Sequence, residues 1–172
     1  MNDEIVLGGG CFWCTEAAFK EVDGVKSVTS GYAGGHTENP SYREVCSGDT
    51  GHAEVVKIEY NEEELGLEKI LDLFFRIHDP TTEDREGPDI GSQYRSIILY
   101  QDEEEKEVIE AFIEDQQEDY EGEIVTEVKE LENFYIAEDK HQDYFEKNPE
   151  DAYCRINASP KVERARDFSS KN

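Results

Sequence analysis

The chain has 172 residues, a length that suits one domain with a sizeable core. Its 43 Asp and Glu outnumber its 17 Lys and Arg, and the formal net charge of −26 argues against nucleic acid or an anionic membrane as partner. No run of about 18 apolar residues occurs, and the start, Met1-Asn2-Asp3-Glu4, carries neither a basic nor an apolar leader. These features predict no spanning helix, no secretory signal and a cytoplasmic, reducing setting. There, four cysteines serve catalysis, metal binding or plain burial rather than a structural disulfide set. The acidic blocks at residues 102–105 and 114–119 read as solvated helix faces. The global excess of charge is different, because self-repulsion opposes a compact state unless salt screens it, which suggests a salt-rich cytoplasm.

Residues 4–7 form a short apolar run that reads as a strand, ended by Gly8-Gly9-Gly10. A helix is predicted over 11–21, closed by Asp23-Gly24, then a strand over 25–32. Residues 33–53, rich in Gly, Ser, Thr and Asn, read as a long functional loop. A strand follows over 54–60. Leu67, Ile70, Leu71, Phe74 and Ile77 have helical spacing and predict a helix over 67–78. A second loop spans 79–93, then a strand over 96–100, an acidic helix over 103–120 and a strand over 124–128. The segment from about 138 is expected to carry one short amphipathic helix and then a long irregular tail containing Cys154. The order contains the split β-α-β-β-α-β pattern, so the predicted fold is α+β, a ferredoxin-like two-layer α/β sandwich in one catalytic domain over 1–172.

Cys11 stands between a glycine run and a predicted helix. Unpaired backbone N–H groups and the positive end of the helix dipole meet a side chain there, so a lowered thiol pKa is predicted. Cys14 makes the pair a Cys-x-x-Cys. That spacing also suits a thioredoxin-like disulfide oxidoreductase, or half of a zinc site. No second Cys-x-x-Cys exists and the four histidines are scattered, which argues against zinc. Spacing alone makes Glu54 a solvated strand residue and Phe12 and Trp13 ordinary core. Cys46 reads as a buried spectator.

Gly10-Cys11-Phe12-Trp13 resembles the signature of A-type peptide methionine sulfoxide reductases. Gly31-Tyr32-Ala33-Gly34-Gly35, Asn39-Pro40-Ser41-Tyr42 and the run from Glu44 to Glu54 are similar to further motifs of that family. So are His78-Asp79-Pro80, the run from Asp89 to Ser96, Phe134-Tyr135, the run from Ala137 to Gln142, and Tyr153-Cys154. The matches follow the family's order along most of the chain. Two departures concern recycling: Cys14 stands where many members have a small residue, and no cysteine follows Cys154.

The resemblance implies that Cys11 attacks the sulfoxide sulfur and that Glu54 protonates the departing oxygen. A carboxyl among His52-Ala53 and Val55-Val56 can be buried enough to stay protonated. Tyr42 and Tyr94 would hydrogen-bond the sulfoxide oxygen. Asp89 would shape the same site, through a water or Cys11. Phe12 and Trp13 would hold the S-methyl group. Cys154, on a mobile tail, would resolve the sulfenic acid, with Cys14 as an alternative resolver or a relay. The implied substrates are oxidised proteins and free methionine sulfoxide, in the S epimer. The implied donor is thioredoxin or another dithiol, with no prosthetic cofactor or metal, and the chain is expected to be a monomer. Enzymatic reversal of methionine oxidation, with one enzyme type per sulfoxide epimer, is established chemistry.

Overall fold

The computed structural model describes residues 3–171. Its elements in chain order are β1 (Glu4–Gly8), α1 (Phe12–Phe19), β2 (Val25–Ala33), α2 (Tyr42–Cys46), β3 (Ala53–Tyr60) and α3 (Leu67–Ile77). Two short strands follow, β4 (Arg85–Glu86) and β5 (Asp89–Ile90), then β6 (Ile97–Tyr100), α4 (Glu103–Gln116), β7 (Glu127–Glu130) and β8 (Phe134–Ile136). The chain ends with α5 (Tyr144–Lys147) and α6 (Ser159–Lys171). The architecture is mixed α/β. The main sheet has the order β7-β6-β1-β3-β2-β8. All neighbours are antiparallel except β6 and β7.

Strand alternation divides the apolar residues between two faces. Glu54, Val56, Ile58 and Tyr60 share one face of β3, and the last three join the main core with Ile5, Leu7, Phe12, Phe19, Ile70, Leu71 and Phe74. Each such side chain, fully buried, contributes about 1.5–3 kcal/mol. Val6, Val55, Ala53, Ile97 and Leu99 point the other way into a smaller cluster closed by Leu131 and Phe134. Glu54 thus sits on the helix-facing side of a central strand, where burial is almost complete.

The chain departs from the sequence reading in several places, including β8 and the short pair β4 and β5 within the expected 79–93 loop. The 33–53 loop contains α2, started by a reciprocal cap in which Ser41 Oγ accepts from Glu44 N–H and Glu44 Oε1 accepts from Ser41 N–H. The acidic helix stops at Gln116, and its downstream strand lies at Glu127–Glu130 rather than over 124–128. The largest departure is the tail, which is not irregular. Residues 154–158 form a π-helical turn that runs directly into α6. The reason is α1, which is buried on nearly every side: Phe12, Cys14, Thr15, Glu16, Ala17, Ala18 and Phe19 are all buried. The sheet covers only one side of such a helix. Val162, Ala165 and Phe168, three residues apart on α6, help to cover another.

Candidate active site

Cys11 caps the N-terminus of α1 and is 7% exposed. The glycines before it allow close approach. A Cβ on Gly9 would stand 2.6 Å from the His78 ring, and Gly10 has φ +92°. Gly10 N–H donates to the Tyr94 carbonyl at 3.1 Å. His78 is buried, and that burial lowers its pKa to about 4, so it is neutral. Its Nδ1–H then donates to the Phe74 carbonyl at 2.5 Å and its Nε2 accepts from Ser96 Oγ at 2.8 Å. The glycine loop therefore rests on a rigid, uncharged wedge.

The Glu54 carboxyl lies against Cys11. Its Oε1 accepts from Phe12 N–H at 3.1 Å, and its Oε2 is buried with no hydrogen-bond partner among the described residues. Burial pushes its pKa up to about 8, so it is protonated at neutral pH. The prediction for Cys11 itself is overturned. Its thiol pKa is raised well above normal, first by burial, then by its contacts with Cys14 and Glu54. Desolvation outweighs the helix dipole here, because the dipole's favourable effect is small next to the cost of burying a thiolate beside a carboxyl. Cys14 is the thiol that is lowered, chiefly by its hydrogen bond with Cys11 and, against its own burial, by Lys161.

Aromatic rings surround this pair. Phe12 meets Tyr32, Tyr42 and His141 at centroid distances of 5.7, 6.3 and 5.4 Å. Trp13 stacks flat on Tyr144 at 3.7 Å, and its Nε1–H donates to His141 Nδ1 at 3.1 Å. Burial, then the proximity of Glu54, raises the pKa of both Tyr42 and Tyr94, so both phenols keep their protons as donors. Glu138 ties the wall together, accepting from Tyr32 OH and Tyr42 N–H, each at 2.9 Å.

The C-terminal segment closes the site. Tyr153 OH donates to Asp89 Oδ2 and receives the Cys14 thiol at 4.0 Å. Asp89 therefore reaches the site through Tyr153. Lys161 on α6 pairs with Glu86 at 2.8 Å beside Gly10, both side chains being 12% exposed. Cys154 is fully buried, and burial pushes its thiol up to about 12. It is not on the mobile tail expected for it. Cys46 is exposed, not buried, at the end of α2 beside Tyr42.

A family model described as peptide methionine sulfoxide reductase matches residues 3–172. The chain belongs to that family. It is 61% identical to the peptide methionine sulfoxide reductase MsrA of Natronomonas pharaonis, over 99% of this chain and 98% of the relative. It is similar to the crystal structure of Mxr1 from Saccharomyces cerevisiae in reduced form, with a TM-score of 0.84 and 38% identity over 90% of each chain. It also resembles Mxr1 from the same yeast in complex with Trx2, with a TM-score of 0.59 and 27% identity, over 82% of this chain and 83% of that one. The chain is an oxidoreductase of methionine sulfoxide.

The fold gathers Cys11, Phe12, Trp13, Cys14, Tyr42, Glu54, Asp89, Tyr94 and Cys154 around one end of α1. Residue reading missed Tyr32, Glu138, His141, Tyr144 and Tyr153 as members of the wall. All but Tyr144 lie in family-like segments and Tyr144 lies in none; nothing in local spacing sends a tail histidine to a tryptophan 128 residues away.

Proposed function

We propose that this chain reduces the S epimer of methionine sulfoxide, in proteins and as the free amino acid, with Cys11 as nucleophile and Glu54 as general acid. The observation that carries the assignment is the buried Glu54 carboxyl beside Cys11, which has one oxygen fixed by Phe12 N–H and the other unpartnered among the described residues, and whose burial pushes its pKa up to about 8. In this reading the Glu54 proton goes to the sulfoxide oxygen as the Cys11 sulfur attacks the substrate sulfur. The thiol proton returns to Glu54, the oxygen is transferred to Cys11 as a sulfenic acid, and methionine leaves. Tyr42 and Tyr94 donate to the developing hydroxyl, and Phe12 and Trp13 hold the methyl group without offering it hydrogen bonds.

A second thiol then displaces water from the sulfenic acid to give a disulfide, which a dithiol reduces. Cys14 takes the first step in this reading, because it touches Cys11 and is the thiol whose proton is most easily lost. Cys154 acts after it, once the C-terminal segment moves. Thioredoxin is the proposed donor, supported by the complex formed by the yeast relative. No prosthetic group is assigned. We further read the chain as one monomeric, cytoplasmic domain. The order β6-β1-β3-β2, with β8 added at one edge and β7 at the other, supports a ferredoxin-like core.

The test is turnover of each epimer with dithiothreitol. The S epimer should be reduced and the R epimer left, because one fixed pocket presents oxygen and methyl differently for each. Comparable rates on both would sink the assignment.

A further inference from the structure

One buried acid takes no part in the reaction above. Glu16, on α1, is 1% exposed. Its Oε1 accepts from Asp143 N–H at 2.9 Å, and its Oε2 is buried without a hydrogen-bond partner among the described residues. Ser30, on β2, is a polar neighbour of that carboxyl, and Lys20 and Glu146 are the charged groups around it. Asp143 has φ +56°, a left-handed backbone that a non-glycine residue adopts only when its surroundings hold it. The next residue is Tyr144, whose ring lies flat on Trp13, 6° from parallel.

Trp13, Glu16 and Lys20 follow one another at intervals of three and four, so they form one stripe of α1. Every member of that stripe grips the segment after β8. Trp13 donates to His141 and stacks on Tyr144, Glu16 accepts from Asp143 N–H, and Lys20 pairs with the Asp143 carboxylate. The Glu16 contact is the buried one, and it fixes the backbone immediately before the stacked ring.

We propose that Glu16 is a positioning residue for substrate binding: its carboxyl oxygen fixes the Asp143 backbone, which sets Tyr144 on Trp13 and so sets the orientation of the indole in the methyl-binding wall. The proposal rests on the assignment of Trp13 to that wall. Glu16 touches no reacting atom, and its loss leaves Cys11 and Glu54 in place. The effect should therefore fall on binding and not on the chemical step.

Trp13 is the sole tryptophan of the chain, so tryptophan emission, excited where tyrosine does not absorb, reports the surroundings of this one ring. Glu16→Met keeps the buried volume and removes the acceptor. We expect KM for an S-sulfoxide peptide to rise about tenfold, the loss of one buried hydrogen bond, with kcat under dithiothreitol nearly unchanged. Emission should move to the red as the indole loosens. Glu16→Gln keeps an acceptor oxygen and should restore both readings. Tyr144→Leu, at the half-buried far end of the same linkage, should mimic Glu16→Met, and the double variant should be no worse than Tyr144→Leu alone. Unchanged KM and emission in Glu16→Met would overturn the proposal. So would a Glu16→Gln variant as impaired as Glu16→Met, or additive losses in the double variant. The emission arm needs no turnover, so an inactive wild-type chain with the expected emission pattern would sink the enzymatic assignment while keeping the Glu16–Asp143–Tyr144–Trp13 linkage, and an active chain without that pattern would sink the linkage alone.

Discussion

Residues 5–11 and residues 138–158 both reach the pocket, and they are held there differently. The first region is a central strand and its glycine exit. β1 is hydrogen-bonded along both edges, to β3 and β6, and its glycine exit is backed by the buried His78. The second region follows β8, an edge strand, and contributes no strand of its own to the sheet. Beyond β8 it is fastened mainly by side chains: Gln142 to Ser30, Asp143 to Glu16, Tyr144 to Trp13 and Tyr153 to Asp89. Cys11 and Glu54 thus sit on or next to central strands of the sheet, and the last cysteine sits on a segment held mainly by side-chain contacts. The difference matters because Cys14 and Cys154 are 1% and 0% exposed, so no protein dithiol reaches them until the second region moves.

The sharpest way to break the comparison is at the central strands. Glu54→Gln should lower kcat by about 10²–10⁴, the usual loss for a general acid, with a smaller change in KM. The acid must be protonated to act, and its pKa is raised to about 8. Its contribution is therefore full below that pH and lost as pH rises through it. Single-turnover rates of methionine release across pH 6–10 should fall through about pH 8 in the wild-type chain, and that limb should vanish in Glu54→Gln. A wild-type profile flat to pH 10 would remove Glu54 from the role.

The C-terminal region should give a smaller effect that spares chemistry. Cys14→Ser and Cys154→Ser should each release one equivalent of methionine at a near wild-type rate, and both should lose multiple turnover with thioredoxin by at least about tenfold. Mass mapping of wild-type enzyme trapped after one turnover should find Cys11 joined to Cys14 at early times. A first disulfide between Cys11 and Cys154, with Cys14→Ser fully recycled, would restore Cys154 as the direct resolver.

Salt should give the smallest and most diffuse effect, because the net charge of −26 is spread along the chain and not concentrated at either region. The melting temperature should rise by several degrees from about 0.1 M to above 1 M salt as repulsion is screened. A flat or falling value would show that the acidic surface is not self-repelling enough to need screening.

Most of the central sheet was legible, because β1, β3 and α3 carry apolar patterns that burial on one or two sides requires. The motifs around Cys11, Tyr42, Glu54, Asp89 and Tyr94 marked the site by resemblance, and the sheet then explains Glu54: it lies on the same face as Val56, Ile58 and Tyr60. Three features were not legible. β8 is a three-residue edge strand whose pairing to β2 leaves Ile136 exposed, so it has no clear alternation. α6 has Val162, Ala165 and Phe168 set among charges, a pattern too sparse to read without its partner α1.

The third was the behaviour of the thiols. Position at a helix N-terminus predicts a low pKa for Cys11, and that inference fails because the cost of burial is a property of everything packed around a group and not of its neighbours in sequence. By itself the sequence determined which side chains are present, which strands are apolar and which family's motifs they form. Only the tertiary structure decided that the tail is a helix lying on α1, that Cys14 is the lowered thiol and Cys11 the raised one, and that Glu54 holds its proton more tightly than a free carboxyl, because each depends on burial by segments far off in the chain, as the Phe12–Glu54 hydrogen bond at a separation of 42 illustrates.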